Sequence, residues 1–235
     1  MGQLVDYEHN GATYEGYLAT PATDGLAPIV LVAHAWGGQS DFERAKADYL
    51  AGLGYAGFAV DVYGKGKRGS TVEENQALMN PLVEDRGELQ ARLAASLAAA
   101  KAQPGVDGSK AAAIGFCFGG LCVLDMARMG ADVAGVVSFH GLFGAAPNIP
   151  EPKISAKVLA LHGWKDPMAT PDDVIALSKE MTAAGADWQL HGYGEAYHAF
   201  TNPEADDLTL GVKYNAEADR RSFRAMEDFL EEVLG

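Results

Sequence analysis

Three residues far apart in the chain could act together chemically. The first is Cys117, in Gly115-Phe116-Cys117-Phe118-Gly119, where an apolar run stops and a helical pattern begins. Small residues on both sides of a nucleophile mark a nucleophile elbow, here with cysteine in place of the usual serine. The sharp turn brings strand and helix backbones too close for a Cβ. The helix that follows points its N–H groups and the positive end of its dipole at the sulfur, which favours thiolate over thiol. The second residue is Asp166, just past the apolar run "AKVLALHG", and the third is His198, in "YGEAYHAFTNP". A thiolate that attacks a carbonyl needs a histidine to move protons and an acid to orient that histidine. The chain order nucleophile, acid, histidine is the one in which successive strand ends of a parallel sheet deliver such a set. Each residue also has a plainer reading. Free cysteine is among the most buried residue types, Asp before proline closes turns, and a loop histidine is often solvated. Cys122, in an apolar helical stretch, fits the buried reading; for Cys117, the order and strand-end placement of all three favour the chemical one.

The elements that must position these groups are legible as patterns. "QLVDYEHNGATYEGYLATP" has two strand-like stretches around Asn-Gly, which predicts an antiparallel hairpin over residues 3–20. Short apolar runs follow at 27–35, 55–63, 110–116, 133–140, 156–163 and 187–193, as expected of buried parallel strands. Helical segments separate most of them. One is "QSDFERAKADYLAGLG"; residues 72–103 read as two helices broken by Pro81. "TPDDVIALSKEMTAAG" offers Thr170 as N-cap with Pro171 at the first helical position, and a last helix is expected from about Lys213 to Leu234. The pattern predicts an α/β fold in a single domain, residues 1–235: a mainly parallel sheet with helices on both faces and the hairpin at one edge.

Composition narrows the function. The chain has 235 residues, 48% hydrophobic and 21% charged, enough for a substantial core. A net charge of −14 would repel phosphate backbones and acidic membrane surfaces, so no nucleic-acid or membrane partner is expected. "MGQLVDYEHN" lacks the basic-then-apolar pattern of a secretory signal, and Asp6 stands where a myristoylation site wants Ser or Thr. No apolar run reaches the length of a membrane span. Two closely spaced cysteines do not read as a structural staple, and the expectation is a cytoplasmic protein, monomer or weak homodimer.

With "GFCFGG" around Cys117, "LHGWKDP" around Asp166, "EAYHAFTNP" around His198 and "VAHAWGG" after the first parallel strand, the chain resembles the dienelactone hydrolase family of the α/β-hydrolase superfamily over nearly its whole length. The resemblance implies an α/β-hydrolase fold and a cofactor-free hydrolase of small esters or lactones with a Cys-His-Asp triad. The roles then follow from chemistry: Cys117 attacks, His198 holds the thiolate and later protonates the alkoxide, and Asp166 fixes the imidazole tautomer. The expected oxyanion hole is the backbone N–H of Phe118 with that of Trp36, in "HAWGGQ".

The chain departs from that pattern at Ala35, where dienelactone-cleaving members typically carry a glutamate, and at Asn202, where they typically use an arginine to hold the substrate carboxylate. A diacid-like dienelactone is therefore not carried over. Ala35, Tyr63, Phe143, Trp164, Tyr197 and Phe200, with Trp36 and Phe118, are enough to line an apolar pocket, and about half of the aromatics are expected to pack in the core instead. Lys65, Lys67 and Arg68 could form a cationic rim or a solvated loop, and Arg86 a pocket cation or a helix-surface group. His34, His140 and His162 fall near strand ends but form no close-spaced ligand motif, so no metal is expected. Two other functions remain open: a non-catalytic small-molecule binding protein on the same fold, and a cysteine peptidase.

Overall fold

The computed structural model describes residues 2–23 and 25–235; Met1, at the head of the N-terminal segment discussed above, lies outside them. The chain opens with a hairpin of β1 (Gln3–His9) and β2 (Ala12–Ala19), its two-residue turn supplied by Asn10 and Gly11, both at positive φ. That conformation matches the twist of the flanking strands, which is why Asn-Gly is favoured there. β3 (Ala27–Ala33), β4 (Ala56–Ala59), β5 (Val106–Phe116), β6 (Gly135–Phe139), β7 (Lys157–Gly163) and β8 (Trp188–Tyr193) run parallel in one sheet of order β1-β2-β4-β3-β5-β6-β7-β8. β2 joins it antiparallel to β4. A two-stranded ribbon, β9 (Asp206–Asp207) with β10 (Val212–Lys213), stands apart.

Strand alternation sorts the core onto two faces. Ile29, Leu31, Ala111 and Ala113 point to the face covered by α3 (Arg86–Lys101), α4 (Phe118–Arg128) and α5 (Pro171–Ala183), through residues such as Leu89, Leu93, Leu124 and Met181. Val30, Val32, Ala112 and Ile114 point to the other, covered by α1 (Asp41–Gly52) and α6 (Ala216–Leu234) through Ala47, Leu50, Met226 and Leu230.

The structure corrects the sequence reading at three boundaries. Pro81 lies inside α2 (Val72–Glu84), which continues past it; proline removes one donor from the ladder, but the Pro81 carbonyl still accepts from Asp85 N–H at 3.0 Å. The break falls at Asp85, whose side chain accepts from Glu88 N–H at 3.0 Å and caps α3. The run at 55–63 stops being strand at Ala59, because the buried Asp61 carboxylate accepts the N–H groups of Tyr63 and Gly64, both at 3.0 Å, and turns the chain. The last helix starts at Ala216 rather than Lys213: Asn215 caps it by accepting from Ala218 N–H at 3.0 Å, while Lys213 belongs to β10.

Candidate active site

Cys117 sits between β5 and α4 with φ 57° and ψ −117°, a conformation that non-glycine residues adopt only when their surroundings enforce it. The enforcement is visible at the neighbouring glycines. A Cβ on Gly115 would lie 2.0 Å from Gly119 O, and one on Gly119 would lie 2.1 Å from Ala33 O, so strand, helix and the end of β3 meet backbone to backbone. Cys117 N–H donates to Phe139 O at 3.1 Å. Cys117 is partly buried; Cys122 is fully buried, and burial pushes its thiol pKa up.

Asp166 lies in the turn after β7, buried, its N–H donating to Gly163 O at 3.0 Å. One carboxylate oxygen accepts from Met168 N–H at 2.8 Å; the other accepts from His198 Nδ1 at 2.7 Å. His198 is itself clamped by the ribbon: its N–H donates to Gly211 O and its carbonyl accepts from Lys213 N–H, both at 3.1 Å. Among the described residues its buried Nε2 has no nitrogen or oxygen partner; the His198 side chain engages Cys117 instead, and both line one cavity. Burial alone would push the imidazole pKa down. The negative charge of Cys117, then the Asp166 hydrogen bond, outweigh this and raise it to about 10. His140 stacks edge-on against His198 with ring centroids 5.2 Å apart and shares a hydrogen bond with Thr201 Oγ1 at 2.8 Å. Burial, then the neighbouring His198, hold its pKa well below the ordinary value, so it stands as a neutral wall.

The cavity has a volume of about 930 Å³. Ala35 and Trp36 are on its wall, as expected from the sequence, but most of the expected aromatic lining is not. Tyr63, Phe143 and Phe200 are buried in the core: Tyr63 stacks on Phe118, Phe143 packs at a tilt against His162, and Phe200 fills the space under His140 and Tyr193. Trp164 points outward, 48% exposed, and Tyr197 lines a separate recess of about 210 Å³ with Lys165 and Tyr214. A strand-end position brings a residue near the site; side-chain direction and neighbouring loops decide whether it reaches the wall. The apolar wall instead comes from Phe42, Met79, Phe116, Leu142, Met168 and Leu210. Leu142, Met168 and Leu210 lie in irregular segments where periodicity carries no signal.

None of the expected cations stands free on the cavity wall among the described residues. Lys65 pairs with Glu15 at 3.3 Å, and Lys67 is exposed. Arg68 reaches the wall but donates to Gln39 O and to Lys67 O and lies 3.7 Å from Asp61. Arg86 is neither a pocket cation nor a surface group: it is buried against Asp125. The site also contains a residue that sequence reasoning missed. Glu43 is buried on the cavity wall, with one oxygen accepting Ala35 N–H at 3.3 Å and the other Ser40 N–H at 2.8 Å. Ser-x-x-Glu at the start of a helix is a capping box, and that pattern could have placed Glu43 beside the loop it holds.

The fold and the strand-end placement of these groups define an α/β-hydrolase. The dienelactone hydrolase family model matches residues 14–234, and the chain belongs to that family. A solved structure named m3DLH is 36% identical, with a TM-score of 0.94, over 100% of this chain and 99% of its own. A dienelactone hydrolase-like promiscuous phosphotriesterase from metagenomic libraries is 34% identical with a TM-score of 0.94, again over 100% of this chain and 99% of its own. Among curated sequences, an Aquifex aeolicus protein assigned provisionally as a carboxymethylenebutenolidase is 32% identical over 88% of this chain and 90% of its own. The family is one of hydrolases acting on small molecules, and among the described residues no helix is long and apolar enough to cross a membrane.

Proposed function

We propose that the protein is a cysteine-dependent hydrolase of small uncharged esters or lactones. The observation that carries this reading is the His198–Asp166 pair at 2.7 Å, whose imidazole also engages the Cys117 side chain in the cavity that both residues line. Cys117 sulfur adds to the ester carbonyl, and the oxyanion meets the N–H groups of Phe118 and Trp36. As the C–O bond breaks, His198 gives its Nε2 proton to the departing alkoxide and a thioester remains. His198 then takes a proton from water, the hydroxide adds to the thioester, and the thiolate leaves with the carboxylic acid as second product. Asp166 holds Nδ1–H throughout, so that Nε2 is the nitrogen that moves protons.

The wall supports an uncharged substrate. Arg68 is spent on backbone carbonyls and Asp61, Arg44 is 3.8 Å from Asp41 and 4.0 Å from Glu15, and Glu43 adds a buried carboxylate. Among the described residues no free cation on the wall offers a carboxylate-bearing substrate a partner, and Asn202 leaves the family's usual arginine position neutral. The test is a panel of matched neutral and carboxylate-bearing aryl esters and lactones, with a neutral phosphotriester because one relative is described as a phosphotriesterase. The neutral esters are expected to turn over, Cys117→Ala to abolish turnover, and Asp166→Asn to lower kcat by about 10⁴-fold. Binding without turnover would point to a binding protein on the same fold, cleavage of peptides alone to a peptidase, and near-normal rates in Cys117→Ala would remove the nucleophile assignment.

A further inference from the structure

The loop between β3 and α1 is tied down by side chains from three directions. Ala35 N–H donates to Glu43 Oε1. Ala35 O accepts from His34 Nδ1 at 2.7 Å and from Gly38 N–H at 3.1 Å. Trp36 O accepts from the Tyr63 hydroxyl at 3.0 Å, and Gly37 O accepts from Gly69 N–H at 3.0 Å. Among the described residues, the Trp36 N–H makes no loop, cap or side-chain hydrogen bond. The Ala35 carbonyl and the Trp36 N–H belong to one rigid peptide plane, so a bond that holds the first aims the second.

We propose that His34 and Tyr63 are positioning residues that aim the Trp36 N–H into the cavity, which deepens the reading above and rests on Trp36 as an oxyanion donor. His34 is suited to this because both ring nitrogens are committed. Nδ1–H donates to Ala35 O, and Nε2 accepts from Val62 N–H at 3.3 Å, which fixes the neutral tautomer. Burial lowers its pKa and keeps it neutral, outweighing Glu43, the Ala35 hydrogen bond and Asp61, which act the other way. A protonated ring would lose the Val62 bond. Tyr63 is held in turn: Asp61 fixes its N–H, and its ring packs 4.7 Å from His34 and stacks 5.9 Å from Phe118, the residue that carries the other donor. One small cluster thus braces both walls of the oxyanion hole. A preorganised donor stabilises a transition state only if it does not have to be reoriented as charge develops.

The experiment compares Tyr63→Phe, His34→Leu and His34→Asn with the wild type on a neutral aryl ester, with iodoacetamide alkylation of Cys117 measured in parallel. Alkylation displaces iodide at a saturated carbon and forms no oxyanion, so it reports the nucleophile and the fold without the hole. Tyr63→Phe and His34→Leu are expected to lower kcat by about 10- to 100-fold at nearly constant KM, a fraction of what full removal of a donor costs. Alkylation rates should stay within about twofold of wild type, since neither substitution removes a group hydrogen-bonded to the Cys117 sulfur. His34→Asn, whose side-chain amide can donate near the Nδ1 position, should recover most of what His34→Leu loses. Unchanged kcat in both deletions would overturn the proposal, as would a loss carried by KM, equal losses in His34→Asn and His34→Leu, or alkylation falling in step with kcat. The underlying reading fails by a separate result, turnover surviving in Cys117→Ala.

Discussion

His198 carries the clearest electrostatic signature at the scale of a single residue. Buried imidazoles normally lose their proton, as His140 does beside it. The Cys117 interaction and the Asp166 bond together exceed the burial penalty and push the His198 pKa up from the ordinary 6.5 to about 10. The sign of a substitution follows. Cys117→Ala removes the largest of the raising causes and leaves burial in place, so the imidazole should titrate at lower pH than in the wild type, while Asp166→Asn should lower it through its own bond. NMR titration of the His198 ring in the wild type and in Cys117→Ala checks this. An unmoved midpoint would mean that sulfur and imidazole do not share charge. The sequence supplied the identity of these residues and their order, but nothing in it announces a pKa, which depends on which atoms end up adjacent.

The elbow and the ribbon differ at the scale of elements in how much of them could be read in advance. The glycines around Cys117 are a contiguous pattern with a steric cause, and the structure gives that cause a distance. A Cβ at Gly119 would stand 2.1 Å from Ala33 O and 2.8 Å from His34 O, both backbone atoms at the root of the loop that carries Trp36. Gly119→Ala is therefore expected to cost about 1–3 kcal/mol of stability and to lower turnover beyond what that loss explains, because the displaced backbone carries Trp36. Gly52→Ala, at the end of α1 with nothing within 4 Å of the added carbon, should instead stabilise by about 0.5–1 kcal/mol. Urea unfolding and ester turnover of both variants separate the cases; a neutral Gly119→Ala would contradict the packing. The ribbon that clamps His198 was not legible. Its strands are two residues each, too short for alternation to register, and their pairing is set by contacts across the loop at Gly211 and Lys213. Pro81 misled for a related reason: a lost hydrogen bond on a largely exposed helix is tolerable, whereas the capping carboxylate of Asp85 supplies a positive reason to restart.

Across the whole molecule, the cavity depends on a buried charge cluster on the far side of α4. Asp125 is fully buried, paired with Arg86 and, at 3.2 Å, with Arg128; Arg128 in turn reaches Glu180 at 2.7 Å. Arg128 also donates to Gly144 O at 3.0 Å and Phe143 O at 3.3 Å, which pins the loop that places Leu142 on the cavity wall. Removing the shared carboxylate leaves Arg86 buried without its partner, and the uncompensated charge costs more than the pair itself contributes. Asp125→Leu should thus destabilise by about 3–5 kcal/mol. The double variant Arg86→Met/Asp125→Leu removes the orphaned charge and leaves Arg128 on Glu180 and its carbonyls, so it should recover much of that loss. Urea unfolding of the single and double variants measures both. If the double is no more stable than the single, Arg86 is held by the Gly144 and Ala145 carbonyls it also faces rather than by its charge partner, and the cluster is a set of backbone clamps instead of an ion-pair network.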